Sequence, residues 1–375
     1  MAINLQYPIK ATYRNLIYRK DKHVAAYFRI PNTPITITDN DKKRKHKWTV
    51  SQLIKKLAKN QHFEISLIPK DYLLEEKMRD FMDALSPNNR KLGEDLLLHT
   101  VDTLTDEMEI PYQFDWLVGV RLRKHDKGSS LTDLAYERFS ELTETIANGL
   151  GFELEEEKPW YEDYLSDEQD CFQILSALRC RRLTNEELFY YQRMQYLRYI
   201  PHFKGEVLAN RSLFNVTDTL IKSLSGGFLK LESPYGTSFV TILPVGKFNT
   251  IFNGFHLGEF IQRLNFPVEL QIKAEFIDRN KIKGKMGRSN TRYKNIMEEA
   301  DSTNTVQQDE IIMGSFSLKD LMKKVGNKED IIEYGAYLIV SASSITQLLN
   351  RRQVVLNYFY DMGVEISEAS HDTPY

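Results

Sequence analysis

Apolar and polar positions alternate in several short stretches of the chain, and each stretch ends at a polar break. Asn15–Arg19 and Val24–Ile30 are rich in aromatic and β-branched residues and flank the polar Lys20–Lys22. That pattern predicts a β-hairpin. A polar loop is expected next, carrying the basic run KKRKHK at Lys42–Lys47. From Thr49 to Asn60 the period changes, with Val50, Leu53, Ile54 and Leu57 at helical spacing. Phe63–Pro69 alternates as a strand, Leu73–Leu85 and Leu92–Glu109 read as helices, and Phe114–Arg123 reads as a strand. Ser130–Gly149 is predicted to be a helix that stops at Gly149 and Gly151, before a short strand at Phe152–Glu155.

Lys158–His202 is predicted to be helical and is rich in tyrosine. The order of elements then starts again. Phe228–Glu232 and Ser238–Val245 form a hairpin around Ser-Pro-Tyr-Gly, Leu257–Leu264 a short helix, and Pro267–Ile277 a strand. A long polar helical region precedes the strand Tyr334–Ala342, the helix Ser344–Met362 and the strand Val364–Ser367. Laid side by side, NLIYRKDKHVAAYFRI answers FLKLESPYGTSFVTILPV, HFEISLIPK answers FPVELQIKAEF, and FDWLVGVRLRK answers YGAYLIVSASS. The expected fold is therefore α+β, with an internal duplication of a split βαβ-like unit. Two sheet-containing lobes, residues 1–157 and 227–375, are expected on either side of a helical connector at 158–226.

Composition narrows this reading only a little. The 375 residues carry a formal charge of −2, which argues against a chain that wraps nucleic acid over its whole surface. The two cysteines, Cys171 and Cys180, form no disulfide framework and no metal-ligand spacing, so reduced thiols are expected. No run approaches the roughly 18–20 apolar residues of a membrane span, so any membrane contact is expected to be peripheral.

The search for chemistry is mostly negative. Gly246-Lys247 and Gly284-Lys285 lack the upstream glycine and the following Ser or Thr of a phosphate-binding loop. None of the eight histidines lies three or four residues from another or beside a cysteine. No catalytic, cofactor-binding or metal-ligating residue is therefore assigned. Two surfaces remain as candidates. Arg279, Lys281, Lys283, Lys285, Arg288 and Arg292 have no acidic neighbour between Asp278 and Glu298. They are open to two readings, a solvated helix or a contact to the phosphates of lipid or DNA. On a helix they would spread around most of the surface, and Gly284 and Gly287 would weaken it. Trp160, Tyr161, Tyr164, Tyr190 and Arg193 are candidate anchors of a partner surface, because aromatic residues and Arg dominate such interfaces.

The succession from Gly227 onward carries RYKNIMEEA (Arg292–Ala300), QQDE (Gln307–Glu310) and SASSITQLLNRRQVVLNYFYDMGVEIS. It resembles the N-terminal domain of the large conjugation ATPases of type IV secretion systems, in the form found in Gram-positive mobile elements. The opening hairpin, ending AYFRIP, is also similar to the family's start. In that family a RecA-like domain follows, holding ATP and magnesium and commonly assembling into hexamers. The chain closes at HDTPY, where that domain would begin. The resemblance therefore implies the non-catalytic half of a motor, cytoplasmic and peripheral at the inner face of the membrane. Its partners would be the inner-membrane channel proteins, and its full-length form a homo-oligomer. Two alternatives stand beside it: a nucleic-acid-binding accessory protein of a mobile element, and a stand-alone enzyme with a dispersed active site.

Overall fold

The computed structural model describes residues 9–32, 39–71, 74–107, 112–124, 159–200, 219–248, 257–302, 309–327 and 329–367. In chain order the first half contains β1 (Ile9–Tyr13), β2 (Leu16–Arg19), β3 (Val24–Ile30), α1 (Asn40–Lys56), β4 (His62–Asp71), α2 (Leu74–Ala84), α3 (Arg90–Glu107) and β5 (Tyr112–Arg121). Next come α4 (Leu165–Leu175), β6 (Arg181–Arg182) and α5 (Asn185–Met194). The second half contains β7 (Leu220–Leu224), β8 (Phe228–Ser233), β9 (Gly236–Phe248), α6 (Leu257–Ile261), β10 (Val268–Phe276), α7 (Arg279–Ser302), α8 (Asp309–Gly326), β11 (Ile332–Ala342), α9 (Ile345–Asp361) and β12 (Val364–Ile366). The predicted helix Ser130–Gly149 and strand Phe152–Glu155 lie outside the described residues.

The fold is α+β, and its strands form one sheet where two were expected. The order is β1-β2-β3-β5-β4-β10-β11-β9-β8-β7, with β6 added to β3 and β12 added to β9. The halves join where β4 pairs with β10. Each half has the same strand order running outward from that seam. The pairing registers repeat as well. Leu16 faces Ala26, Ala26 faces Val120, and Val120 faces Phe63. In the second half Phe228 faces Thr241, Thr241 faces Val340, and Val340 faces Val268. The pairing positions make these two rows equivalent, and all eight residues are buried. Carrying the match along β4 and β10 makes Gln271 the counterpart of Ser66, and these two face each other. A two-fold relation between the halves therefore passes through that pair. Three assignments change. β7 lies inside the segment expected to be a helical connector, β6 interrupts its helices, and the run Lys42–Lys47 belongs to α1 instead of a loop.

One face of the sheet carries most of the helices. Leu67, Leu270, Leu338 and Leu243 lie in line across four strands and pack with Phe260 and Ile261 of α6 and Leu348, Val355 and Phe359 of α9. In the first half Leu16, Ala26, Phe28 and Val120 pack with Leu57 and with Cys171 and Leu175 of α4. Both cysteines are free and buried. Burial pushes the Cys171 thiol up to about 12 and Cys180 to about 11, so both stay protonated near neutral pH. Close packing at the seam between the halves rests on Gly258, where a Cβ would come within 2.7 Å of the Trp116 ring.

Between β4 and β5, and again between β10 and β11, the chain inserts a helical hairpin: α2/α3 and α7/α8. The helices of each pack mainly on each other. Because β4 and β10 are antiparallel, the two hairpins leave from opposite ends of the sheet. α7 has 24 residues and is therefore about 36 Å long.

Candidate functional site

Three surfaces come into question: the uncovered part of the second sheet face, the connector, and the two hairpins.

The second face is polar at its centre because β4 and β10 place charged residues on alternate positions. Tyr27, Gly119, Glu64, Lys273 and Gly335 form one row across five strands. Gly119 is required here. A Cβ would approach both Glu64 and the Tyr27 ring to 2.7 Å, so its absence lets those side chains cross the strand. The result is an open cleft of about 560 Å3, whose lining includes Arg19, His23, His62, Glu64, Arg121 and Lys273. Its charges are largely paired within the cleft. Arg19 Nη2 donates to Tyr27 Oη at 3.0 Å and lies 3.9 Å from Glu64. His62 Nε2 is 3.7 Å from Glu275, and Arg121 Nη2 is 2.7 Å from His23 Nδ1. Burial, aided by Arg121, lowers the His23 pKa, which keeps the imidazole neutral and able to accept from Arg121. Burial raises the Tyr27 pKa, so the phenol stays a neutral donor and acceptor. This is a set of opposed charges suited to polar contacts.

The connector wraps the first half from one face to the other. α4 lies in the helical layer. β6 then pairs with Phe28 and Arg29 of β3, and α5 lies on the second face. Thr184 and Glu187 form a capping box that starts α5 where β6 ends. Glu168 of α4 accepts from Arg182 at 2.8 and 2.9 Å and from Asn15 at 3.0 Å, tying α4 to β6 and to the turn between β1 and β2. Beyond α5, Arg198 reaches Glu269 of β10 at 2.9 Å and ties the connector to the second half.

This placement buries two of the five residues of the expected partner surface and leaves Trp160, Tyr161 and Tyr164 half-buried. Tyr190 is 7% exposed and Arg193 is 3% exposed. α5 is enclosed on nearly all sides: its residues Leu188 to Arg193 are all buried. The Arg193 guanidinium lies over the Tyr235 ring at 5.8 Å. Trp160, Tyr161 and Tyr164 pack against the first-half core. The Tyr161 ring stacks on Tyr13 at 3.5 Å, and Trp160 stacks on Tyr18 at 5.3 Å. These aromatics hold the connector to β1 and β2.

The basic stretch lies on α7, which runs unbroken through Gly284 and Gly287. Ile282 and Met286 face Val325 of α8. Lys281, Lys285, Arg288 and Arg292 are exposed and recur at steps of four, three and four. That spacing aligns them in one row, where an even spread was expected. Lys283 points elsewhere, and Arg279 pairs with Asp330 at 2.9 Å. Among the described residues, none of the four in the row has a carboxylate partner. A Cβ at Gly284 or Gly287 would meet nothing within 4 Å. Replacing both with Ala should therefore stabilise α7 by about 0.5–1 kcal/mol each. Amide hydrogen exchange in α7 should slow about tenfold; faster exchange would mean that the helix is interrupted there in solution.

The apolar side chains left exposed were not singled out in the sequence. Leu92 and Leu96 of α3 are 75% and 68% exposed, and Met313 and Phe316 of α8 are 69% and 64% exposed. Leu92 and Leu96 stand one helical turn apart. Met313 and Phe316 do so too, with Lys319 lying over the Phe316 ring at 5.8 Å. A periodicity search could have found these pairs as apolar positions off the packed face. No helix among the described residues is long and apolar enough to cross a membrane.

The arrangement defines an α+β chain with a duplicated unit on one antiparallel sheet. No family model matches it. Among curated proteins it is similar to the uncharacterized protein YddE of Bacillus subtilis (strain 168), with 21% identity over 371 residues. That match covers 96% of this chain but 44% of the relative, so the chain spans less than half the length of the protein it matches.

Proposed function

We propose that this chain is the non-catalytic docking domain of a conjugation ATPase of a type IV secretion system. It attaches the motor to inner-membrane channel proteins at the cytoplasmic face of the membrane. ATP and magnesium belong to the motor domain of the parent protein. The observation that carries this reading is the pair of hairpins at opposite ends of one sheet, each with large apolar side chains that the described residues leave uncovered. Burying a leucine or phenylalanine side chain contributes about 1.5–3 kcal/mol. Leu92, Leu96, Met313 and Phe316 therefore offer two separated contact points to a partner. The sheet between them is continuous and would carry displacement from one contact to the other. The lysine and arginine row of α7 adds a phosphate-facing surface suited to lipid headgroups.

The test is co-purification of the chain with the small membrane proteins encoded beside it. Substituting Leu92, Leu96, Met313 and Phe316 together with Ser should abolish it without lowering the melting temperature. Undiminished co-purification, or equal recruitment of the motor half to the channel without residues 1–375, would defeat the proposal.

A further inference from the structure

We propose that the free end of α1 is an arm that binds double-stranded nucleic acid. This proposal rests on α1 alone and holds whether or not the docking reading does.

The helix has two unlike parts. Its C-terminal part is anchored, because Leu53 is buried and the Leu57 that follows joins the first-half core. From Asp41 to Gln52, none of the side chains is buried. The helix nevertheless begins in good order, since the Asp39 side chain accepts from the Lys42 N–H at 2.9 Å. These three turns carry Lys42, Lys43, Arg44, Lys45, His46 and Lys47 consecutively, with Lys43, His46 and Val50 half-buried on one side and Arg44, Lys45 and Lys47 exposed on the other. Residues leave a helix at steps of about 100°, so Arg44, Lys45, Lys47 and Trp48 share its exposed side. Lys42 is paired with Asp39 at 2.9 Å. Among the described residues, Arg44, Lys45 and Lys47 have no carboxylate partner. Trp48 follows directly and is 65% exposed.

The distribution of charge selects the partner. A helix that lies on a lipid surface needs an apolar face turned to the acyl chains and a charged face turned away. Trp48 is the single large apolar side chain exposed on this helix, and it lies among the exposed cations Arg44, Lys45 and Lys47 instead of opposite them. The major groove of duplex DNA is about 12 Å wide and accepts a helix about 10–12 Å across, with a phosphate strand on each flank. With the exposed side turned into the groove, Arg44 and Lys47 on one side of Trp48 and Lys45 on the other would meet phosphate on both walls. The Trp48 ring would rest on base edges, where apolar contact with a thymine methyl is available. Lysine and arginine contacts to phosphate carry no sequence information, so binding should tolerate any sequence.

The experiment uses the whole chain and a fluorescein-labelled 20-base-pair duplex, followed by anisotropy. With about four phosphate contacts, affinity should fall about 100-fold between 50 and 200 mM salt. The combined variant Arg44→Glu, Lys45→Glu, Lys47→Glu should bind about 30-fold or more weakly at 50 mM salt with an unchanged thermal melt. The duplex should also quench tryptophan emission, and Trp48→Phe should remove that quenching. Equal binding by the α1 variant, or quenching that persists in Trp48→Phe, would overturn the proposal. So would binding to vesicles of anionic lipid with none to the duplex.

Discussion

Substituting Asp115 with Ala is expected to lower the stability of the fold by about 3 kcal/mol, at the lower end of the range for breaking a buried ion pair. Asp115 is 2% exposed on the second face of β5. Its carboxylate meets the Arg29 guanidinium, lies 3.2 Å from Lys70 Nζ, and accepts from the Tyr191 hydroxyl of α5. Removing it leaves two cations facing each other and a buried phenol with no acceptor. Arg29 and Lys70 keep partial access to water, at 28% and 19% side-chain exposure, which limits the penalty. Tyr191→Phe removes one hydrogen bond and should cost about 1 kcal/mol. Burial and the neighbouring Asp115 raise the Tyr191 pKa, so the phenol remains a donor throughout the neutral range. Urea unfolding at pH 7 measures both variants. A loss below about 1 kcal/mol for Asp115→Ala would show that this network does not hold α5 to the sheet.

Substituting Phe359 with Ala should cost about 3–5 kcal/mol. The ring is fully buried on α9 and meets Phe260 edge-on at 6.3 Å and Tyr358 at 5.6 Å. It sits in the second-half core with Leu348, Val355 and Val364. The packed sheet below it offers little room for collapse, so most of the cavity should persist. Phe359→Leu keeps most of the volume and should cost less than about 1.5 kcal/mol. Equal losses for both variants in the same urea titration would contradict a well-packed site around this ring.

The strands of the sheet centre were legible because one of their faces is buried and the other is polar. β4 and β10 show this as plain alternation. β1 and β7 were not read as strands. They are short sheet edges with no fully buried residue, so the apolar signal is weak. Lys42–Lys47 was read as loop because no apolar period runs through it. Its helicity is set by the Asp39 cap at one end and the burial of Leu53 and Leu57 at the other. The burial of Tyr190 and Arg193 was hidden for a different reason. Periodicity identifies a packed side but cannot show that α5 is enclosed on nearly all sides by the sheet and the neighbouring chain. The basic residues of α7 were correct as a set. Their alignment depended on whether the helix survives two glycines, which composition alone does not decide.

The pairing of Ser66 with its own counterpart Gln271 has a consequence for symmetry. One strand meeting its counterpart across a two-fold is the contact that identical subunits make in an isologous dimer. Here both subunits are, in effect, carried on one chain. Covalent linkage makes the seam intramolecular and independent of protein concentration. It also frees the halves from identity. A true homodimer would present the same hairpin twice. This chain presents α7/α8, with its unpaired cationic row, at one end, and α2/α3, where Arg90 pairs with Glu94 at 2.9 Å, at the other. A pseudo-dimer of this kind can engage two different neighbours with one inherited geometry.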